Sequence, residues 1–117
     1  MKLRQVKEIL NADEILINDQ KVLERELSQG FSSDLMSDAL ALVDDGEKTL
    51  FLTGLVNNQT LRTAEMLDID IIVFVRNKVP DVQMIEMAKS LSINILSTSY
   101  TMYEACGRLY QGGLHND

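Results

Sequence analysis

The sequence of 117 residues contains a single cysteine and a single histidine. Because a disulfide needs two cysteines, no internal disulfide can form, and the lone Cys106 is typical of a reducing compartment. One cysteine and one histidine also leave a zinc site without its usual ligands. His115 stands in the last few residues, so a Ser-His-Asp or Cys-His set would depend on the C-terminal segment. These scarcities argue against nucleophilic catalysis and against a zinc site.

Long apolar runs and basic blocks are also missing. No run approaches the roughly 20 apolar residues of a transmembrane helix, and the first residues lack the apolar core of a secretory signal. The formal net charge is -7, and lysine and arginine are scattered, whereas proteins that bind duplexes usually present a basic stripe or patch. We therefore expect a cytoplasmic protein that binds neither membranes nor nucleic acids.

Helical and strand patterns alternate through most of the chain. Helices are predicted at LRQVKEIL, DLMSDALALV, NQTLRTAEMLD, VPDVQMIEMAKSLS and SYTMYEACGRLYQ, and strands at TLFLTG, DIIVFV and INILS. Strands that are apolar throughout are buried on both faces, as in parallel sheets covered by helices. The sequence thus predicts one α/β domain over residues 1–111, a mainly parallel sheet flanked by helices, with a flexible tail at 112–117.

The region before Gly30 has two interpretations. EILI and KVLEREL are short β-like runs separated by the turn-rich NDQ. They could form a hairpin, or a strand followed by an irregular connection. Whether these first thirty residues pair with the sheet or cross to another subunit is also left open.

Four loops predicted at the carboxyl ends of strands are rich in hydroxyl and amide groups: GFSSD, TGLVNNQT, RNKVPD and STSYT. Ligands of parallel α/β sheets gather at that edge, so a small polar ligand is predicted there. Its candidate ligand-binding residues are Ser32, Ser33, Thr53, Asn57, Asn58, Ser97 and Thr98. Helix capping is the competing explanation, because serine, threonine, asparagine and aspartate are the preferred N-caps.

Charged residues decide how two of these loops are interpreted. GFSSD lacks the lysine of a phosphate-binding P-loop, and Asp34 and Asp38 would repel an anion, so this stretch is interpreted chiefly as a helix cap. Arg76 and Lys78 could meet either an anion or solvent.

The last predicted helix carries the candidate interface. Gly107 within a helix costs about 1 kcal/mol relative to alanine, which a close contact would explain. Tyr103 and Tyr110 are seven residues apart and share one side of the helix. A strand, a helix or a second subunit could approach at Gly107, so Tyr103, Gly107 and Tyr110 are the candidate interface residues. Burial of the tyrosines in the core is the alternative, which such spacing indicates more often.

Three stretches resemble DRTGG-domain proteins, particularly the small stand-alone ones: GFSSDLMSDALALVDDGEKTLFLTG, VRNKVPD and ILSTSYTMYEACGRLYQ. The resemblance runs in order from the first helix to Tyr110. It implies a compact domain similar to the N-terminal domain of HPr kinase/phosphorylase, with a regulatory role and, beside CBS domains in some pyrophosphatases, a place at a dimer interface. The residues that name the family differ here: the Asp-Arg position lies within Asn57-Asn58-Gln59, and Arg76-Asn77-Lys78 replaces the glycine pair.

These patterns together predict a non-catalytic regulatory module without cofactor or metal. It would sense a small polar metabolite or a nucleotide, form a homodimer, or do both. A ligand-free protein-interaction adaptor, for example for a redox enzyme, is the alternative. A phosphotransferase-type enzyme ranks third, because no acid, base and nucleophile converge in the sequence.

Overall fold

The computed structural model describes residues 1–115. The helices are α1 Leu3–Leu10, α2 Met36–Leu42, α3 Asn58–Met66, α4 Val82–Ser90 and α5 Met102–Gln111. The strands are β1 Asp13–Leu16, β2 Gln29–Ser32, β3 Thr49–Thr53, β4 Ile71–Phe74 and β5 Asn94–Ser97. They form one sheet in the order β1-β5-β4-β3-β2, parallel from β2 to β5, with β1 antiparallel at one edge. The predicted α/β architecture with a mainly parallel sheet is confirmed.

Helices cover both faces of the sheet. Leu50 and Leu52 of β3 pack in a core with side chains of α1 and α5, whereas Phe51 between them packs with side chains of α2, α3 and α4. This division follows from the alternation of side chains along a strand. Every residue of β3, β4 and β5 is buried, because helices lie over both sides. That burial explains why the central positions of the three strands are apolar, with polar residues only at the ends of β3 and β5.

The region before Gly30 follows the second of its two interpretations. EILI contributes β1, which pairs with β5 of the same chain. KVLEREL is not a strand, because Gln20–Glu24 form a 3-10 helix whose Val22 and Leu23 are buried. Asp19 begins this turn, since its carboxylate accepts a hydrogen bond from the Lys21 N–H at 2.9 Å.

Strand β2 is the one strand in the described part of the chain that the sequence pattern did not predict. Gln29–Ser32 pairs in parallel with β3, Gly30 opposite Leu50 and Phe31 opposite Phe51. Glycine and serine are poor strand formers, so this segment lacks an intrinsic β signal. The neighbouring strand β3 supplies its hydrogen-bonding partner, and tertiary context overrides local propensity.

Three helices end in a left-handed residue that is not glycine, and the first of these residues is Asn11 after α1, with φ 48°. Asp68 after α3 has φ 59° and Ser92 after α4 has φ 58°. The Ser92 N–H donates to Lys89 O, and the Ile93 N–H donates to Ala88 O at 2.9 Å. This is a Schellman motif, in which glycine is the preferred left-handed residue.

We expect the Ser92→Gly variant to be more stable than the natural chain by about 0.5–1 kcal/mol, because glycine adopts this backbone conformation without steric strain. Ser92→Ala keeps a Cβ atom and should bring no such gain. Urea unfolding followed by circular dichroism measures both. Equal stabilisation by alanine would contradict the explanation.

The C-terminal segment contacts the rest of the domain as far as Leu114. The Leu114 N–H donates to Leu109 O at 2.9 Å, and its side chain is buried beside Gly30. The predicted boundary at residue 111 and the flexibility of the tail stay predictions, and residues 116 and 117 lie outside the described residues. Within residues 1–115, no helix has both the length and the apolar character needed to cross a membrane.

Candidate functional site

Asp34 joins the loops that follow β2 and β3 at the carboxyl edge of the sheet. Its Oδ1 accepts hydrogen bonds from Thr53 Oγ1 at 3.0 Å and from the Gly54 N–H at 2.6 Å. Helix α2 begins only at Met36, with no side chain bonded to its first turn as a cap. Interpreting GFSSD chiefly as a helix cap is therefore wrong for Asp34, whose carboxylate is used across the loops.

Two cations complete a group of residues that we call the carboxyl-edge cluster: Asp34, Thr53, Gly54, Arg76 and Lys78. Lys78 Nζ donates to Gly54 O at 2.8 Å. A Cβ atom placed on Gly54 would lie 2.6 Å from Arg76 Nη2 and 3.4 Å from each carboxylate oxygen of Asp34. The guanidinium and the carboxylate thus approach Gly54 together, and a side chain at this position would displace the guanidinium.

The turn that carries Arg76 has an unusual backbone. Arg76 and Asn77 have φ angles of 58° and 60°, and the Lys78 N–H donates to Val75 O at 3.3 Å. Two successive left-handed residues closed by such a bond are typical of a type I′ turn, which favours glycine and asparagine and disfavours arginine.

The following loop holds this turn in place. The Arg76 N–H donates to Tyr100 O and the Asn77 N–H to Thr98 O, both at 2.8 Å. The side chain of Arg76 is exposed. Within residues 1–115, neither Arg76 nor Lys78 forms an ion pair. A guanidinium without a carboxylate partner is therefore presented by a turn that other loops fix.

Several of the predicted ligand-binding residues are used inside the protein. Asn57 Oδ1 accepts from the Thr60 N–H at 3.1 Å and caps α3. Ser97 Oγ donates to Lys78 O at 2.8 Å. Thr98 Oγ1 is buried and donates to Leu10 O at 2.7 Å, which fixes the end of α1.

The serines of the first loop and Asn58 are placed differently. Ser33 Oγ accepts from the Leu35 N–H at 2.9 Å, so it shapes the approach to α2. Ser32 and Asn58 have exposed side chains. A ligand role for the seven predicted residues stays a prediction. Arg76, Lys78 and Gly54 are the neighbours that the hydroxyl and amide pattern missed, and the two basic residues directly after a buried strand were the available signal.

The predicted interface residues share one exposed face of α5. Tyr103 is 91% and Tyr110 64% exposed, and the space around Gly107 is open for 4 Å. Burial of these tyrosines in the core is therefore wrong. Between β2 and the end of α5 lies a cavity of about 240 Å³, lined in part by Phe31, Tyr110 and Leu114.

A second cavity, of about 580 Å³, lies at the amino ends of the parallel strands, on the side of the sheet opposite to the carboxyl-edge cluster. Its lining includes Glu47, Glu65 and Asp68 together with the ion pair between Arg25 and Asp70. Carboxylates outnumber cations along this wall, so the cavity is poorly suited to an anionic ligand. No group of three or more metal-binding side chains is found among residues 1–115.

Two shifted carboxyl groups lie in the first part of the chain, outside the carboxyl-edge cluster. The hydrogen bond from the Lys7 ammonium lowers the pKa of Glu14 on β1. The guanidinium of Arg4 lowers the pKa of exposed Glu24 in the same way. These pairs connect α1 to the segments that follow it and do not contribute to a binding site.

The chain matches no family model, and no curated protein matches its sequence. Among solved structures, it is similar to the CBS and DRTGG domains of the regulatory region of Clostridium perfringens pyrophosphatase, complexed with the activator diadenosine tetraphosphate. The TM-score is 0.71 at 15% sequence identity, and the match covers 94% of this chain. It covers 46% of the other chain, so this protein spans about half of that regulatory region. At this identity the likeness concerns the fold alone, and the fold is related to the DRTGG domain.

Proposed function

We propose that this protein is a non-catalytic regulatory module that binds a small anionic metabolite of the nucleotide class at the carboxyl-edge cluster. The observation that carries the proposal is the exposed guanidinium of Arg76 over Gly54, without an ion pair in the described residues. A planar guanidinium recognises phosphate through paired hydrogen bonds, and Lys78 adds a point charge beside it.

The surroundings of Arg76 favour an anion. Asp34 is the nearby negative charge, held at the loop by Thr53 and the Gly54 N–H, which donate to its Oδ1. The two cations, Arg76 and Lys78, outnumber it in the cluster. The first turn of α3 begins at Asn58 in the loop after Gly54, and helix N-termini attract phosphate groups. Although the chain has a net charge of -7, the cations Arg76 and Lys78 would attract a phosphate group to this edge.

The comparison supports the same ligand class. The regulatory region with the similar fold is complexed with a dinucleotide activator. That ligand belongs to the whole region of two domain types, so it supports a nucleotide as a candidate without assigning contacts to this chain.

A thermal-shift series with the full chain tests the proposal. ATP, GTP and diadenosine tetraphosphate are the probes, and a ligand at a hundredfold excess over its Kd should add about 2.7 kcal/mol of stability. The variant Arg76→Ala/Lys78→Ala should lose that gain. The control Lys21→Ala/Arg62→Ala removes two exposed cations that form no ion pair in the described residues, and it should keep the gain.

Equal loss in both variants would contradict the site, because it would indicate attraction to overall charge. A Tm that no probe raises would contradict nucleotide binding itself. The second candidate, a ligand-free adaptor, would then be favoured by the exposed tyrosines of α5.

Self-association is the other part of the proposed function. Besides Tyr103 and Tyr110, the exposed large apolar side chains include Leu35 and Leu42 at the two ends of α2. Apolar exposure of this kind on a small domain favours a symmetric pair of identical chains. Sedimentation equilibrium should therefore report twice the chain mass of 13.2 kDa.

A further inference from the structure

The two edge strands of the sheet differ in how well they are protected from pairing with a strand of another chain. Strand β1 carries Asp13 and Glu14, pairs with an irregular register, and has Lys7 bonded to Glu14. Charges and bulges of this kind prevent an edge from pairing with another chain. Strand β2, at the other edge, lies in the stretch 28–33, which contains neither a charged residue nor proline.

Within residues 1–115, the backbone of β2 has no hydrogen-bonding partner on its outer side. The Ser28 N–H points inward and donates to Lys48 O at 2.9 Å. Because backbone groups alternate along a strand, the N–H and C=O groups of Gln29 and Phe31 point outward. No backbone group of residues 1–115 bonds to that side of the strand. An extended segment could therefore be added there through main-chain hydrogen bonds.

We propose that this segment is the β2 strand of a second copy, paired antiparallel across a two-fold axis at Gly30. The axis places Gln29 opposite Phe31 of the second copy and Ser28 opposite Ser32 of the second copy. Gly30 then faces its own counterpart with no side chain between the backbones. The two five-stranded sheets become one continuous sheet.

The uncharged edge allows two acidic chains to pair without bringing like charges together. Two chains of net charge -7 repel each other wherever charged surfaces meet. The stretch 28–33 brings no charge into contact with itself, so self-pairing here avoids like-charge pairs between strands. An acidic or basic peptide would find no complementary charge along this stretch.

Apolar side chains flank the same edge. Leu35 follows β2 directly and is 58% exposed, and Leu42 at the end of α2 is 69% exposed. On the other face, Gly30, Tyr110 and Leu114 line the cavity between β2 and α5. Pairing of β2 would thus bring the predicted α5 interface towards its counterpart. The inference rests on the proposed self-association and specifies its geometry.

Charge substitution at the paired serines tests this geometry. Both serines have exposed side chains, so Ser28→Asp/Ser32→Asp and Ser28→Lys/Ser32→Lys should fold normally. In each variant alone, like charges would face each other twice across the axis, and the dimer Kd measured by sedimentation equilibrium should rise roughly 10- to 30-fold. An equimolar mixture should recover dimer, because every aspartate then faces a lysine.

A matched control separates local charge from overall charge. Gln59→Glu/Ser99→Asp adds the same two negative charges at exposed positions away from β2, and its dimer should keep the natural Kd. A natural chain that sediments as a monomer overturns both the self-association and this geometry. If neither charged variant raises the dimer Kd, or if the mixture does not recover dimer, the β2 pairing is wrong. The proposed self-association would not be affected by either outcome.

Discussion

Replacing Gly46 by alanine should destabilise the protein by about 3 kcal/mol, the upper part of the usual range for overpacked cores. Gly46 is buried in the turn before β3. A Cβ atom there would lie 1.9 Å from Leu67 O and 2.6 Å from the carbonyl carbon of Asp68. Both are backbone atoms at the end of α3, so the clash could be relieved only by moving the helix end away from the sheet.

Gly107→Ala is the matched control. Gly107 lies inside α5, and a Cβ atom added to it would meet no neighbouring side chain or strand within 4 Å. Alanine should therefore raise stability by about 0.5–1 kcal/mol through helix propensity. Urea unfolding of both variants at low protein concentration measures the contrast. Similar stability of the two variants would contradict the packing described around Gly46.

Thr98→Val should cost about 1–3 kcal/mol, because it leaves a buried carbonyl without its hydrogen bond. The hydroxyl donates to Leu10 O, and residue 98 is 1% exposed. Valine keeps the shape of threonine, so the loss isolates the hydroxyl. Thr98→Ser retains a donor and should lose less, as measured by urea unfolding. A larger loss in Thr98→Ser than in Thr98→Val would show that the methyl group, more than the hydroxyl, sets the stability at this position.

This result matters for any ligand-binding experiment at the carboxyl edge. An alanine at position 98 would weaken the apo protein, so a lost ligand response could reflect instability. Arg76 is a better position to vary, because its exposed guanidinium forms no ion pair within residues 1–115. Its turn is held by backbone bonds that a side-chain substitution preserves.

The sequence predicts those parts of the fold in which local pattern and burial agree. Strands β3, β4 and β5 are apolar because they are buried on both faces, and α3 and α4 begin at side-chain caps, Asn57 and Asp81. Strand β2 could not be predicted in this way. Only Phe31 of its four residues favours a strand, and pairing with β3 determines its conformation.

The predicted ligand-binding residues and the proposed carboxyl-edge cluster lie at the same edge of the sheet, but the sequence pattern did not include Gly54, Arg76 and Lys78 among the ligand-binding residues. The positions of loops follow from the order of strands, whereas contacts between loops depend on side-chain directions. Asp34 bonds to Gly54 twenty residues away, and Lys78 bonds to the same residue from the next loop. The burial of Thr98 likewise depends on α1, a helix 88 residues earlier in the sequence. Because these contacts join residues that are far apart in the sequence, no local sequence pattern could predict them.

Chemical-shift mapping by NMR tests the central claim most directly. The ¹⁵N-labelled chain would be titrated with ATP, and in parallel with diadenosine tetraphosphate, while its backbone amide signals are followed. Binding at the carboxyl-edge cluster predicts saturable shifts at Gly54, Arg76 and Asn77, which Arg76→Ala/Lys78→Ala abolishes. Unchanged spectra would contradict the proposed regulatory site. Shifts confined to the acidic cavity at the amino ends of the parallel strands would contradict it as well.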